Sequence, residues 1–198
     1  RVGSSAVLMA LLAALIAAAR SSRILEMETF LETVMWGPGH LLQIANVAFA
    51  ILAWALLAVL AWARPVEGRW LWIGVATSLA LPLVAAALIL VWRDPSSWLY
   101  RQGFTTLMRW GLFPAGAVAL PLGLGVAGRF RTASRCDRSA AAALVASTLL
   151  MLVGFAFGAA IRGSDLRIPG HSHACIGAVT LAYMALSLLL PGLESGAR

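Results

Sequence analysis

Six stretches of this 198-residue chain are apolar for about the length that a bilayer demands of a crossing helix, roughly 20 residues each. They run over about 4–20, 30–63, 70–92, 104–127, 139–161 and 169–191. Hydrocarbon offers no water to the backbone N–H and C=O groups, so segments of this kind close their hydrogen bonds internally, as helices. Composition points the same way: 61% of the residues are hydrophobic and 12% charged, where soluble domains carry about 25% charged residues. The expected fold is therefore all-α, a polytopic membrane helical bundle of about six transmembrane helices forming one transmembrane domain over 1–198. The first run, Ser5 to Ala19, is short for a crossing and the numbering opens at Arg1 with no visible signal peptide, so further sequence is expected ahead of it.

The second stretch is too long for one straight crossing. It contains "MWGPGHLLQ", where Pro38 removes a backbone donor and Gly37 and Gly39 loosen the helix. A helix broken near Gly37-Pro38-Gly39 is expected, with an interfacial or re-entrant start and a crossing from about His40.

Charge sets the direction. All 15 basic residues are arginine, and the net charge is +7. They stand singly at span ends rather than in a patch, which fits membrane topology and argues against a nucleic-acid partner. "GRFRTASRCDRS" carries Arg129, Arg131, Arg135 and Arg138 against Asp137, and "ARPVEGRW" adds Arg64 and Arg69. With six spans both loops fall on one side, which the positive-inside rule makes cytoplasmic. The other side receives Glu26, Glu28 and Glu32 and the loops "WRDPSSWLYRQG" and "IRGSDLRIPG". Trp70, Trp72, Trp92 and Trp98 stand near span ends, as interfacial belt residues do. His40, His171 and His173, all the histidines there are, then enter their spans from the outer side.

Successive residues of an α-helix turn by about 100°, so His171 and His173 point roughly 200° apart. Such a pair does not share one metal; it can serve two centres, one on each side of the helix, and haem iron accepts imidazole as an axial ligand. Ionisable groups inside a membrane are costly enough to mark function. A histidine near a span end also serves as an interfacial polar residue or a packing hydrogen bonder, and that reading stays open. Among the weaker candidates, Glu28 and Glu32 at i, i+4 are first of all solvated acids, and Gln43 near His40 is first a packing amide. Arg162 and Arg167 flank the His pair as interface anchors or as partners for acidic haem substituents. Cys136 and Cys175 fall in different settings and suggest no disulfide.

"RIPGHSHACIGAVTLAYM" resembles helix X of the catalytic subunit of heme-copper oxidases and nitric oxide reductases, closest to divergent subunit-I-like members. The resemblance implies that His171 ligates a high-spin haem and His173 a low-spin haem. "MWGPGHLLQ" is similar to that family's helix VI and makes His40 the implied ligand of a second metal, copper or non-haem iron. The likeness covers about helices V to X. It departs from the family in "FTTLMRWGLFP", which lacks the His-His pair of the usual copper site, and at Ile44, where many oxidases have a tyrosine. The second ligand of the low-spin haem is also missing. The implied cofactors are one or two haems of b- or a-type, with copper or non-haem iron. The implied partners are membrane subunits supplying the remaining helices and an outer-side electron donor such as cytochrome c or a cupredoxin. The implied location is a prokaryotic cytoplasmic membrane. Three functions stay open: an oxidase-like or nitric-oxide-reductase-like electron-transfer subunit, a membrane cytochrome or anchor using haem only as a relay, and a cofactor-free helical bundle.

Overall fold

The computed structural model describes residues 2–21, 26–62, 68–129, 138–163 and 166–195. These form helices α1 (Val2–Arg20), α2 (Met27–Trp62), α3 (Arg69–Trp92), α4 (Trp98–Thr106), α5 (Phe113–Arg129), α6 (Arg138–Ala160) and α7 (Arg167–Ser195), with a π-helical turn, Leu107–Gly111, between α4 and α5. No strand occurs among the described residues. Five helices there are long and apolar enough to cross a membrane: α1, α2, α3, α6 and α7. The chain thus reads as an integral membrane protein with a helical bundle architecture.

Two expectations need correction. The stretch expected as a crossing over 104–127 is helical but divided by the π turn, so neither α4 (9 residues) nor α5 (17 residues) qualifies as a span by itself. The expected break near Gly37-Pro38-Gly39 is absent: α2 runs for 36 residues through Pro38. The proline forfeits only one backbone bond, and Gly37 lets a neighbouring side chain press on the helix there. In membranes such packing tolerates proline within a helix.

The described chain divides into two compact units, Arg1–Phe49 with Trp72–Ala115, and Ala50–Leu71 with Gly116–Arg198. In the first unit, α1 is built inside out relative to a helix of a soluble protein. Ala6, Ala10, Ala13 and Ala17 form its buried stripe, while Leu8, Leu11, Leu12 and Leu15 are exposed. Small residues let helix backbones approach where no hydrophobic gradient drives them together, and the leucines suit lipid. The Arg20 guanidinium donates to the Leu90 carbonyl at the end of α3 (3.2 Å). Ser97 caps α4, its hydroxyl accepting from the Tyr100 N–H at 3.2 Å. The preceding turn is tied by Asp94, whose carboxylate accepts from the hydroxyl and the backbone N–H of Ser96 and is held below the usual carboxylate range by those bonds.

The second unit centres on α6 and α7. Trp54 on α2 donates its indole N–H to the Ser147 hydroxyl on α6 (2.8 Å), and that hydroxyl donates to the Ala178 carbonyl on α7 (2.7 Å). Ser147 and Trp54 are both buried, so this relay stitches three helices with every polar atom in it satisfied. Glycines set the spacing around it. A Cβ on Gly123 of α5 would fall 2.2 Å from Thr148 Oγ1, and one on Gly154 would fall 2.5 Å from Cys175 Sγ.

Ser147→Ala leaves the indole N–H without an acceptor in an apolar setting and should cost about 1–3 kcal/mol. Thermal unfolding of the detergent-purified chain checks this. Combining it with Trp54→Phe should cost less than the sum of the two single changes, because the orphaned donor is then gone.

Candidate functional site: three histidines with engaged Nδ1 atoms

His40 belongs to the first unit and lies on α2 one turn beyond Trp36. Its Nδ1 is hydrogen-bonded to the Trp36 carbonyl. The ring is half-buried between two aromatics, with Trp36 at a centroid distance of 5.1 Å and Phe104 of α4 at 5.7 Å. Tyr100 meets Phe104 edge-on at 5.0 Å. Trp36 donates its indole N–H to the Arg101 carbonyl (3.3 Å), and the Arg101 guanidinium lies 5.2 Å from the centre of the same indole. That guanidinium also pairs with Glu32 at 2.7 Å and reaches the Thr33 hydroxyl at 3.5 Å. The ion pair is partly exposed, and such pairs contribute at most about 1 kcal/mol. Its role is positional, fixing α4 against α2 beside His40.

Tyr100 is the anomaly of this cluster. It is fully buried, yet its hydroxyl has no hydrogen-bond partner among the described residues. It fits because residue 37 is glycine: a Cβ there would sit 2.0 Å from the phenol oxygen. Burial pushes the Tyr100 phenol up to about 12 from its ordinary value of 10.0.

The other two histidines lie on α7 in the second unit. His171 is half-buried, and its Nδ1 donates to the Gly154 carbonyl of α6 at 2.7 Å. Cys175, one turn on, brings its sulfur to 3.6 Å from the same nitrogen. Gly154 and Gly158 form a GxxxG stretch, "GFAFG", and a Cβ on Gly158 would come within 2.8 Å of His171 Nδ1. His173 is exposed, and its Nδ1 donates to the Pro169 carbonyl at 2.7 Å. The helix is regular here, so His171 turns to α6 while His173 turns about 200° away from it.

A carbonyl only accepts, so each of these contacts fixes the proton on Nδ1 and leaves the Nε2 lone pair free. Metal-binding histidines are ordinarily held in this way, the second nitrogen donating to a carbonyl or carboxylate. The donor set on α7 therefore suits two axial imidazoles on opposite sides of one helix. His40 fits a non-haem metal less well: among the described residues no three histidine, cysteine, aspartate or glutamate side chains gather as a metal site.

Of the weaker sequence candidates, Glu32 is engaged by Arg101, and Glu28 and Gln43 are exposed on α2. Arg162 is exposed after α6, and Arg167 donates to the Ala160 carbonyl. Ile44 is buried. Cys136 lies outside the described residues. Sequence reasoning missed Tyr100 and Phe104, whose approach to His40 depends on which helix packs beside α2. The GxxxG stretch was readable, but its role as the backing of His171 was not. No known family model, curated protein sequence or solved structure matches this chain.

Gly37→Ala should destabilise the first unit by about 1–3 kcal/mol through overpacking. Tyr100→Phe, which removes a buried hydroxyl that has no partner, should stabilise the chain by about 1–3 kcal/mol by itself and should restore much of the Gly37→Ala loss in the double variant; equal losses with and without the hydroxyl would contradict the clash. Because the folded state raises the Tyr100 phenol, its contribution is complete below pH 10 and is lost as pH rises from 10 toward 12. Alkaline unfolding curves of the chain and of Tyr100→Phe should diverge over that range.

Proposed function

We propose that the chain is a haem-binding electron-transfer subunit of heme-copper-oxidase type, working in a prokaryotic cytoplasmic membrane. The observation that supports this reading is the shared geometry of the histidines: an Nδ1 anchored on a backbone carbonyl and an Nε2 left free, on two opposite faces of α7. His171 would hold a haem on one side of the helix and His173 a second haem on the other. Bound haem would supply reversible one-electron transfer and, where one axial position is open, binding of a small gas such as oxygen or nitric oxide.

This chain's own residues do the positioning. Gly154 orients the His171 ring and makes its imidazole more basic by accepting the Nδ1 proton, and Gly158 leaves the ring the room to sit there. Pro169 does the same for His173 from within α7. Trp36 and Phe104 confine His40, which offers one imidazole to a copper or non-haem iron. Further ligands to such a metal, and the second ligand of the haem on His173, would come from partner subunits. An outer-side carrier such as cytochrome c or a cupredoxin would deliver electrons to the exposed His173 face.

A relay cytochrome without gas chemistry is the second reading. It is favoured by the lack of a three-residue metal cluster among the described residues and of any histidine in 104–114.

A reduced-minus-oxidised spectrum of the purified chain, with and without carbon monoxide, tests the proposal. A CO-sensitive haem band abolished by His171→Ala, beside a CO-insensitive band abolished by His173→Ala, is expected. Gly158→Val should shift or weaken the band held by His171 while sparing the one held by His173. A haem signal indifferent to CO would leave the relay, and a protein without haem in its assembled complex would sink both readings.

A further inference from the structure

A cavity at one end of the first unit is used by none of the histidines. There α3 and α4 run antiparallel in close contact: a Cβ on Gly103 would lie 3.1 Å from Ile89 Cδ1, and one on Gly111 would lie 3.5 Å from Pro82 Cγ. Beside this seam opens a space of about 350 Å³ lined by Ile89, Arg93, Leu99, Gln102, Gly103 and Thr106. The Gly103–Ile89 pairing places it about 4–5 Å inside Trp92, the end of the α3 span, at 1.5 Å per residue. That is the depth of headgroup and glycerol rather than of mid-chain hydrocarbon.

One arginine lines the space and a second stands one turn beyond its inner end. Arg93 lines its rim, at the end of the span. Arg109 stands in the π turn one turn past Thr106, at a level about 12 Å inside Trp92 by the same pairing. Helical side chains lean toward the helix N-terminus, and long basic ones extend toward the interface, so a ligand in the cavity lies on the side toward which Arg109 extends, although Arg109 is not itself part of the lining. Both arginines are exposed, and neither makes an ion pair among the described residues. Asp94, next to Arg93 in the chain, is occupied by Ser96. An exposed arginine at the depth of Arg109 is expensive unless an anion meets it.

We propose that this cavity binds an anionic phospholipid of the adjoining leaflet, its phosphodiester held between Arg93 and Arg109. Gln102 and Thr106 supply neutral donors to the phosphate and glycerol oxygens, and Ile89 and Leu99 take the start of an acyl chain. Charge selects the headgroup, and the apolar walls select a lipid over a soluble anion.

Native mass spectrometry of the detergent-purified full chain, offered phosphatidylglycerol and phosphatidylcholine in equal amounts, tests this. Phosphatidylglycerol should be retained about tenfold or more over phosphatidylcholine, and Arg93→Gln with Arg109→Gln should abolish that preference. Thr106→Trp, which fills the cavity, should reduce retention of both lipids, and Arg138→Gln, at the start of α6, should change nothing. Equal retention of the two lipids, or a preference that survives the double arginine change, would overturn the proposal. So would displacement of the lipid by glycerol 3-phosphate alone at equal concentration, or loss of a copurifying polypeptide from Thr106→Trp with lipid retention unaltered. Circular dichroism of each variant separates loss of binding from loss of fold; should Thr106→Trp unfold, the arginine pair decides alone.

Discussion

Helix α7 comes close to α6 because Gly154 and Gly158 carry no side chain where His171 and Cys175 enter. Much else in the second unit follows from that approach. With the backbones this near, the Gly154 carbonyl meets the His171 imidazole and Ser147 spans from Trp54 to the Ala178 carbonyl. Association of helices in lipid has no hydrophobic gradient to draw on, since lipid tails are as apolar as leucine. Small residues and buried hydrogen bonds carry it instead, and both kinds of contact are concentrated along the α6–α7 seam. The residues that hold the helices together are therefore the ones that orient the imidazole.

The first unit solves the same problem with aromatic packing. Trp36, His40, Tyr100 and Phe104 interlock between α2 and α4, and Gly37 admits the Tyr100 phenol. The hydroxyl is buried without a hydrogen bond of good geometry, although the Gly37 backbone lies near enough to offset part of the effect of burial on it. An orphaned buried hydroxyl costs about 1–3 kcal/mol, so the ring's packing has to outweigh it. Beside a candidate metal ligand, that is the kind of local conflict expected where a sequence serves something besides stability. The π turn at Leu107–Gly111 is a second such place, because extra residues in a helical turn often accompany functional sites.

A polar group reads differently in a chain of this composition than in a soluble protein. Histidines anchored by Nδ1, an arginine lining a cavity and a serine bridging three helices all stand within or at the ends of apolar helices. Each either completes a hydrogen bond inside the protein or meets a partner outside it. Ser147 belongs to the first kind; Arg93, Arg109 and the free Nε2 atoms are where the proposed lipid and haem would meet the chain.

The sequence by itself determined the helical class, because runs of about 20 apolar residues have no other way to satisfy their backbones in hydrocarbon. It located five of the spans to within a few residues, and it put His171 and His173 on opposite faces of one helix, since that depends only on the helical repeat. What it misjudged was α2: proline and glycine at 37–39 read as a break, but neighbouring side chains support the helix through them. It also could not show that the run over 104–127 is divided by a π turn. Tertiary structure alone decided that Gly154 backs His171, that Tyr100 is buried against Gly37, and that Arg93 lines a cavity with Gln102 and Thr106. The reason is common to all three. They join residues distant in the chain, and local periodicity says which face a side chain occupies but not which helix will lie against that face.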